Sequence, residues 1–191
     1  GNRVLGRILR LHAEGAGDTP FLLADNGRYT YAQVNSLANR YASGLRALGV
    51  ATGDRVLVFM HSCVEFVVLA LAVNKLGAVW VPVNTDYKGD WLADAINDSK
   101  GVALAVDDAL LPRLQQVRDR VAFGHLLLHR SAPEQVREAG AAATLADLAT
   151  HPDVEPDMSY QHYGDTAAVL WTSGTTGKSK GVMQSHNVWI R

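Results

Sequence analysis

The sequence predicts an α/β fold, a layered parallel or mixed sheet flanked by helices, and three observations carry that reading. Short strand-like segments alternate with helix-period segments almost from end to end. Several of the strands are continuous apolar runs without polar alternation, the pattern of strands covered on both faces. Gly49 and Gly77 stop two of the helical segments and return the chain toward the sheet. Strand–helix–strand repetition of this kind places helices on both sides of a parallel or mixed sheet.

The 191 residues suffice for one sizeable core. An apolar fraction of 48% and a charged fraction of 19% belong to an ordinary globular chain and exclude disorder. A formal net charge of -1, with no run of like charges, gives no electrostatic basis for binding nucleic acid or an anionic membrane.

The longest apolar stretch, Val64 to Val83, contains Glu65, Asn74, Lys75, Gly77 and Pro82. It reads as a helix, a glycine break and a strand, not as an integral membrane segment. Gly1 to Leu11 alternate arginines with apolar residues and lack the apolar run of a secretory signal. The single cysteine, Cys63, lies among apolar residues and reads as a buried thiol in a reducing, cytoplasmic setting. Its neighbour His61 is two residues away, on another side of a helix or outside it. The histidines show no metal-ligand spacing, so no metal site is expected.

In chain order, Val4, Leu5, Ile8 and Leu11 predict a short amphipathic helix. Residues 21–24 and 29–31, joined by Asp25-Asn26-Gly27-Arg28, predict a hairpin. Thr30 with Gln33 forms a capping box. It opens a helix whose apolar face carries Val34, Leu37, Ala38, Tyr41, Ala42, Leu45 and Leu48. Val56 to Met60 is a buried strand. Ser62 with Glu65 predicts a second capping box and a helix to about Leu76. A strand follows over 78–83, then a helix presenting Trp91, Leu92, Ala95 and Ile96, then a strand over 102–106. A helix near 110–120 and a strand at 126–128 continue the series. Residues 151–165, with Pro152, Pro156 and four acids, lose all periodicity and predict a connecting loop.

The strand Ala167 to Trp171 leads into Thr172-Ser173-Gly174-Thr175-Thr176-Gly177-Lys178-Ser179-Lys180-Gly181. Glycines let backbone N–H groups turn toward an anion, hydroxyls donate further hydrogen bonds, and lysine supplies charge. That combination suits a polyphosphate better than it suits a linker. A Walker loop needs a glycine five residues before Gly177, where Thr172 stands, and must open a helix at once. Gly181 falls where that helix's first turn would be.

The segment from Trp171 to Val182, followed by Ser185-His186-Asn187, resembles the signature loop of adenylate-forming enzymes, roughly [ST]-S-G-[ST]-T-G-x-P-K-G-V. Ser179 occupies the usual proline position. Upstream, Tyr29-Thr30-Tyr31-Ala32-Gln33-Val34 resembles the family's L-[TS]-Y-x-E-L element. Lys75 to Asn84 resembles its K-x-G-A-x-x-V-P-[IVL]-[ND] element, and both are assigned mainly scaffold roles. The tail Val83 to Gly89 is more like the acyl-CoA synthetase branch than the peptide synthetases.

The resemblance implies that ATP activates a carboxylic acid to an acyl-adenylate with release of pyrophosphate, and that CoA then accepts the acyl group. It implies that Thr172, Ser173, Gly174, Thr175, Thr176 and Gly177 wrap the β and γ phosphates. Lys180 supplies charge there, together with Mg2+, and Lys178 is a bystander. His186 reads as a structural residue capping the next helix, or as a residue lining the pocket. The chain is expected to be the incomplete N-terminal portion of the large domain. The family's adenine, acyl and magnesium groups are expected downstream, so this chain alone is expected to have little catalysis and to self-associate through uncovered apolar surface. Two alternatives stay open: a non-catalytic interaction module of the same fold, and a phosphate-loop kinase or ATPase.

Overall fold

The computed structural model describes residues 3–172 and 180–190. It contains α1 (Leu5–Ala16), the hairpin β1 (Pro20–Ala24) and β2 (Gly27–Thr30), and α2 (Tyr31–Ala47). Then come β3 (Arg55–Phe59), α3 (Val64–Lys75), β4 (Val79–Pro82), α4 (Gly89–Ser99), β5 (Ala103–Asp107) and α5 (Leu111–Gln115). The chain goes on through a 3-10 turn (Arg118–Arg120), β6 (His125–His129), α6 (Pro133–Glu138), β7 (Ala143–Thr144) and α7 (Leu145–Leu148). It finishes with β8 (Thr166–Thr172), β9 (Lys180–Ser185) and a 3-10 turn (His186–Trp189).

Seven strands form one sheet in the order β7-β6-β5-β3-β4-β8-β9. Every pair is parallel except the last, where β8 and β9 form an antiparallel hairpin. The central strands are buried on both faces, as their unbroken apolar runs require. Val56 and Val58 of β3, Ala103 and Ala105 of β5 and Leu127 of β6 pack with α2, α3 and α7. The alternating set Leu57, Phe59, Leu104, Val106 and Leu128 packs on the other side, with α4 and α5. β3 has β4 on one side and β5 on the other, which makes a topological switch. In open α/β sheets ligands bind outside the carboxyl ends of the strands at such a point.

The Thr30–Gln33 capping box forms in both directions, with Gln33 N–H donating to Thr30 Oγ1 and Thr30 N–H donating to Gln33 Oε1. Gly77 stops α3 at φ +68°, a left-handed position that costs glycine little.

Four expectations are corrected. α3 starts at Val64 with extended Cys63 at its cap and no side-chain cap, so Ser62 is one residue too early. Glu65 faces His129 instead of turning back on Ser62. α1 runs on to Ala16 and buries Val4, Gly6 and Leu9, while Leu11 is exposed. Trp91 is 58% exposed and leans on Tyr87 at the edge of α4, because the smaller Ala93 takes the inward position beside Leu92 and Ile96. The helix over 110–120 breaks after Gln115, which lets Val117 turn fully into the core while Arg118 stacks over Phe123.

Residues 151–165 are pinned along their length and cross α1, α2 and α3 as a strap. Asp153 accepts from Ser36 and Asn39, Glu155 from Asn35 and Lys75, and Arg7 donates to the carbonyls of Met158, Ser159 and Gln161. These bonds satisfy backbone and side-chain groups that a free loop would leave to water.

Candidate functional site

The signature segment is carried by the β8–β9 hairpin. Because β8 is parallel to β3, β4, β5 and β6, its end at Thr172 lies on the carboxyl edge of the sheet. Thr172 stands opposite Lys180 across the hairpin, and its Oγ1 donates to the Lys180 carbonyl at 3.3 Å. These two exposed residues close the loop. Ser173, Gly174, Thr175, Thr176 and Gly177, with Lys178 and Ser179, lie outside the described residues. The chain after Lys180 is a strand, not the helix that a Walker loop would open.

The hairpin is anchored twice. Trp171 Nε1 donates to Ser99 Oγ at 3.0 Å, and Ser99 Oγ in turn donates to the Ala95 carbonyl in α4. Across from Trp171 stands Gly181, where a Cβ would come within 3.0 Å of Val169 Cγ1 and 3.5 Å of the Trp171 ring. The glycine therefore leaves room for the indole beside the loop's exit.

At the far end of β9, His186 is only 2% exposed and accepts the Leu5 N–H on Nδ1 at 3.3 Å. It caps the N-terminus of α1, where an unpaired N–H needs an acceptor, and not the short turn that it begins. Burial lowers its pKa, Asp165 raises it and Arg7 lowers it further. A neutral ring with a free Nδ1 lone pair is the form this bond needs. Sequence reasoning missed this role because the two partners are 181 residues apart.

The two upstream elements hold scaffold in place. Lys75 is fully buried, donates to Asn35 Oδ1 at 2.8 Å and pairs with Glu155. Asn74 donates to the Ala167 carbonyl at 2.8 Å and so joins α3 to the start of β8. A groove of about 920 Å³ runs along β4, β8 and β9, lined by Val79, Val81, Val169, Trp171 and Met183, with His186 at its side.

Two polar clusters outside the loop also lie on the carboxyl edge. Asp107, at the end of β5, accepts the His61 N–H at 2.8 Å and bonds the His61 ring at 2.7 Å. Cys63, Glu65 and His129 converge beside it. Cys63 is half-buried, as the sequence suggested in part, but its histidine partner is His129 and not His61. The separation of 66 residues hid that pair.

A mainly parallel sheet, switched at β3 and carrying a Gly/Ser/Thr/Lys loop between its last parallel strand and a returning antiparallel one, defines the class of adenylate-forming domains. The chain belongs to the AMP-binding enzyme family, whose profile matches residues 9–191. It is similar to the long-chain-fatty-acid–CoA ligase FadD13 of Mycobacterium tuberculosis, at 34% identity over 159 residues, covering 83% of this chain and 30% of that protein. The 3-hydroxybenzoate–CoA/4-hydroxybenzoate–CoA ligase of Thauera aromatica is 32% identical over 193 residues, covering 97% of this chain and 34% of the relative. Among solved structures, the N-terminal domain of FACL13 from Mycobacterium tuberculosis superposes with a TM-score of 0.78 at 30% identity, covering 95% of this chain and 44% of that one. The chain thus spans about a third of the length of the curated relatives it matches. Among the described residues no helix is long and apolar enough to cross a membrane.

Proposed function

We propose that this chain is the N-terminal part of an acyl-CoA synthetase. The observation that carries the reading is the β8–β9 hairpin, which holds the two ends of the signature loop at the carboxyl edge of the sheet. In this reading a carboxylate oxygen attacks the α-phosphorus of ATP, pyrophosphate leaves, and the acyl-adenylate then passes its acyl group to the CoA thiol. Thr172 and residues 173–177 hold the β and γ phosphates, and Lys180 offsets the charge that grows on the departing pyrophosphate. Mg2+ supplies further charge neutralisation when bound.

Membership of the family and the CoA ligase activities of the relatives support this. The same reading makes the isolated chain catalytically incomplete, since it spans about a third of those relatives. It also includes self-association of the isolated chain. β9 is an edge strand, Met183 on it is 74% exposed, and the groove beside it is largely apolar. A cytoplasmic setting is part of the reading, supported by the single unpaired cysteine, and cell fractionation tests it.

The main test is ATP–pyrophosphate exchange with short, medium and long carboxylic acids, using this chain beside the longest natural protein that contains it. Exchange by the longer protein alone, lowered on the order of a hundredfold by Lys180→Ala, is the expected result. Carboxylate-dependent AMP formation by the 191-residue chain overturns the incompleteness. ADP in place of AMP moves the reading to a kinase or ATPase. Absence of exchange in both, with ATP binding indifferent to Lys180→Ala, leaves a non-catalytic module.

A further inference from the structure

We propose that Cys63, Glu65 and His129 form a site for one thiophilic divalent cation, with zinc as the natural occupant. The proposal is independent of the loop and of the acyl-CoA synthetase reading.

The fold brings the three together from two strands that are not neighbours. β6, β5 and β3 lie side by side, and the chain leaving β3 turns over the end of β5 into α3. Cys63 is the cap residue of α3, Glu65 lies in its first turn, and His129 is the last residue of β6. One ligand atom from each lies within 4.8 Å of the other two. Cys63 Sγ is 4.0 Å from His129 Nε2, and His129 Nε2 is 3.7 Å from Glu65 Oε2. Tetrahedral zinc, with bonds of about 2.3 Å to sulfur and about 2.0–2.2 Å to nitrogen and oxygen, sets its ligand atoms roughly 3.4–3.6 Å apart. The two His129 pairs therefore close with shifts of a few tenths of an ångström, and the Cys63–Glu65 pair closes from no more than 4.8 Å.

The site also has an unmet need. Glu65 Oε2 is buried with no hydrogen-bond partner among the described residues. A buried acceptor left without a partner is unfavourable, more so when charged, and a cation at this point supplies one. The donor set of thiolate, imidazole and carboxylate suits zinc or cobalt and does not suit magnesium or calcium.

Burial raises the Cys63 thiol and lowers His129, while Glu65 raises both. The thiol releases its proton to solvent as the metal–sulfur bond forms. Arg130 acts on both groups as a cation and opposes the metal, and Asp107 and Asp108 offset it at His129. Linear spacing showed none of this, because the ligands stand at 63, 65 and 129.

The test is a Co2+ titration of the metal-free 191-residue chain, followed by displacement with Zn2+. Cys63 is the only cysteine, so any thiolate-to-cobalt charge-transfer band reports this site alone. The expected result is such a band, complete at one equivalent per chain and erased by one equivalent of Zn2+. His129→Gln and Glu65→Gln each keep the thiol and should weaken binding by at least about tenfold, since outer-shell partners alone cost about 10–100-fold. His61→Asn should leave binding unchanged. Far-UV circular dichroism melts establish that each variant is folded, and a variant that is not is replaced by His129→Asn or Glu65→Ala. Absence of the band overturns the proposal. So does a band of unchanged affinity in folded His129 and Glu65 variants, which would mark binding to the thiol alone.

Discussion

Removing the carboxylate of Glu155 should unfasten the strap from the buried Lys75. The Lys75 side chain is fully inaccessible and Glu155 is 26% exposed. Breaking a buried ion pair from one side costs about 3–5 kcal/mol. Partial exposure of Glu155 places Glu155→Ala near the low end, about 3 kcal/mol. For a chain of this size that is a fall in Tm of roughly 6–12 °C. Lys75→Met should suppress most of the effect in the double variant, because a buried pair replaced by apolar groups is often close to neutral.

The pH dependence follows from the direction of the Lys75 shift. Burial lowers its pKa from an ordinary 10.5, and the hydrogen bond and charge of Glu155 hold it up. A lysine that binds its proton less tightly when folded makes the fold more stable as pH rises between its lowered value and 10.5. Without Glu155 that window extends further down. The loss caused by Glu155→Ala should therefore be full at pH 7 and smaller near pH 10. Urea unfolding monitored by circular dichroism at both pH values measures it. A loss below about 1 kcal/mol, or one equal at the two pH values, refutes the reasoning.

Two further outcomes concern buried histidines and the β9 edge. His186 and His129 both have lowered values in the fold, so the native state favours their neutral forms. Stability should fall as pH drops from about 6.5 through those lowered values, and His186→Asn should flatten part of that slope in thermal melts taken between pH 7 and pH 5. Sedimentation should show the isolated chain self-associating, and Met183→Lys on the β9 edge should shift it toward monomer; identical sedimentation of the two chains speaks against the edge as the contact.

The parts of the fold legible in the sequence were those with strong local signals. β3 is an unbroken apolar run, and α2 is framed by a capping box and a glycine stop, so neighbouring residues alone identify them. The region from Pro133 to Leu148 carries little periodicity, because α6, β7 and α7 are short and alanines crowd the stretch from Ala139 to Ala146. A local signal did exist there: Thr144 and Asp147 form a reciprocal cap at the start of α7. At α3, Ser62 offers a capping pattern one residue ahead of the true cap, Cys63. Composition and spacing suggest a phosphate loop after β8, and the described residues show the strand on either side of it. The anchors at Trp171 and His186, and the Cys63–Glu65–His129 cluster, depend on contacts across the fold and leave no mark on local pattern.

The strap has a consequence for the order in which this domain assembles. It carries the chain from α7 across three helices to β8, on the far side of the sheet from β7. The contacts that seat the strap and the hairpin after it join residues far apart: Arg7 to Met158 across 151 residues, Asn74 to Ala167 across 93 and Leu5 to His186 across 181. Such contacts need the α1–α3 layer to be in place first, because long-range closure loses chain entropy before any contact offsets it. On this argument β8 and β9 should seat after the α1–α3 layer, and native-state hydrogen exchange of β8 compared with β3 checks it.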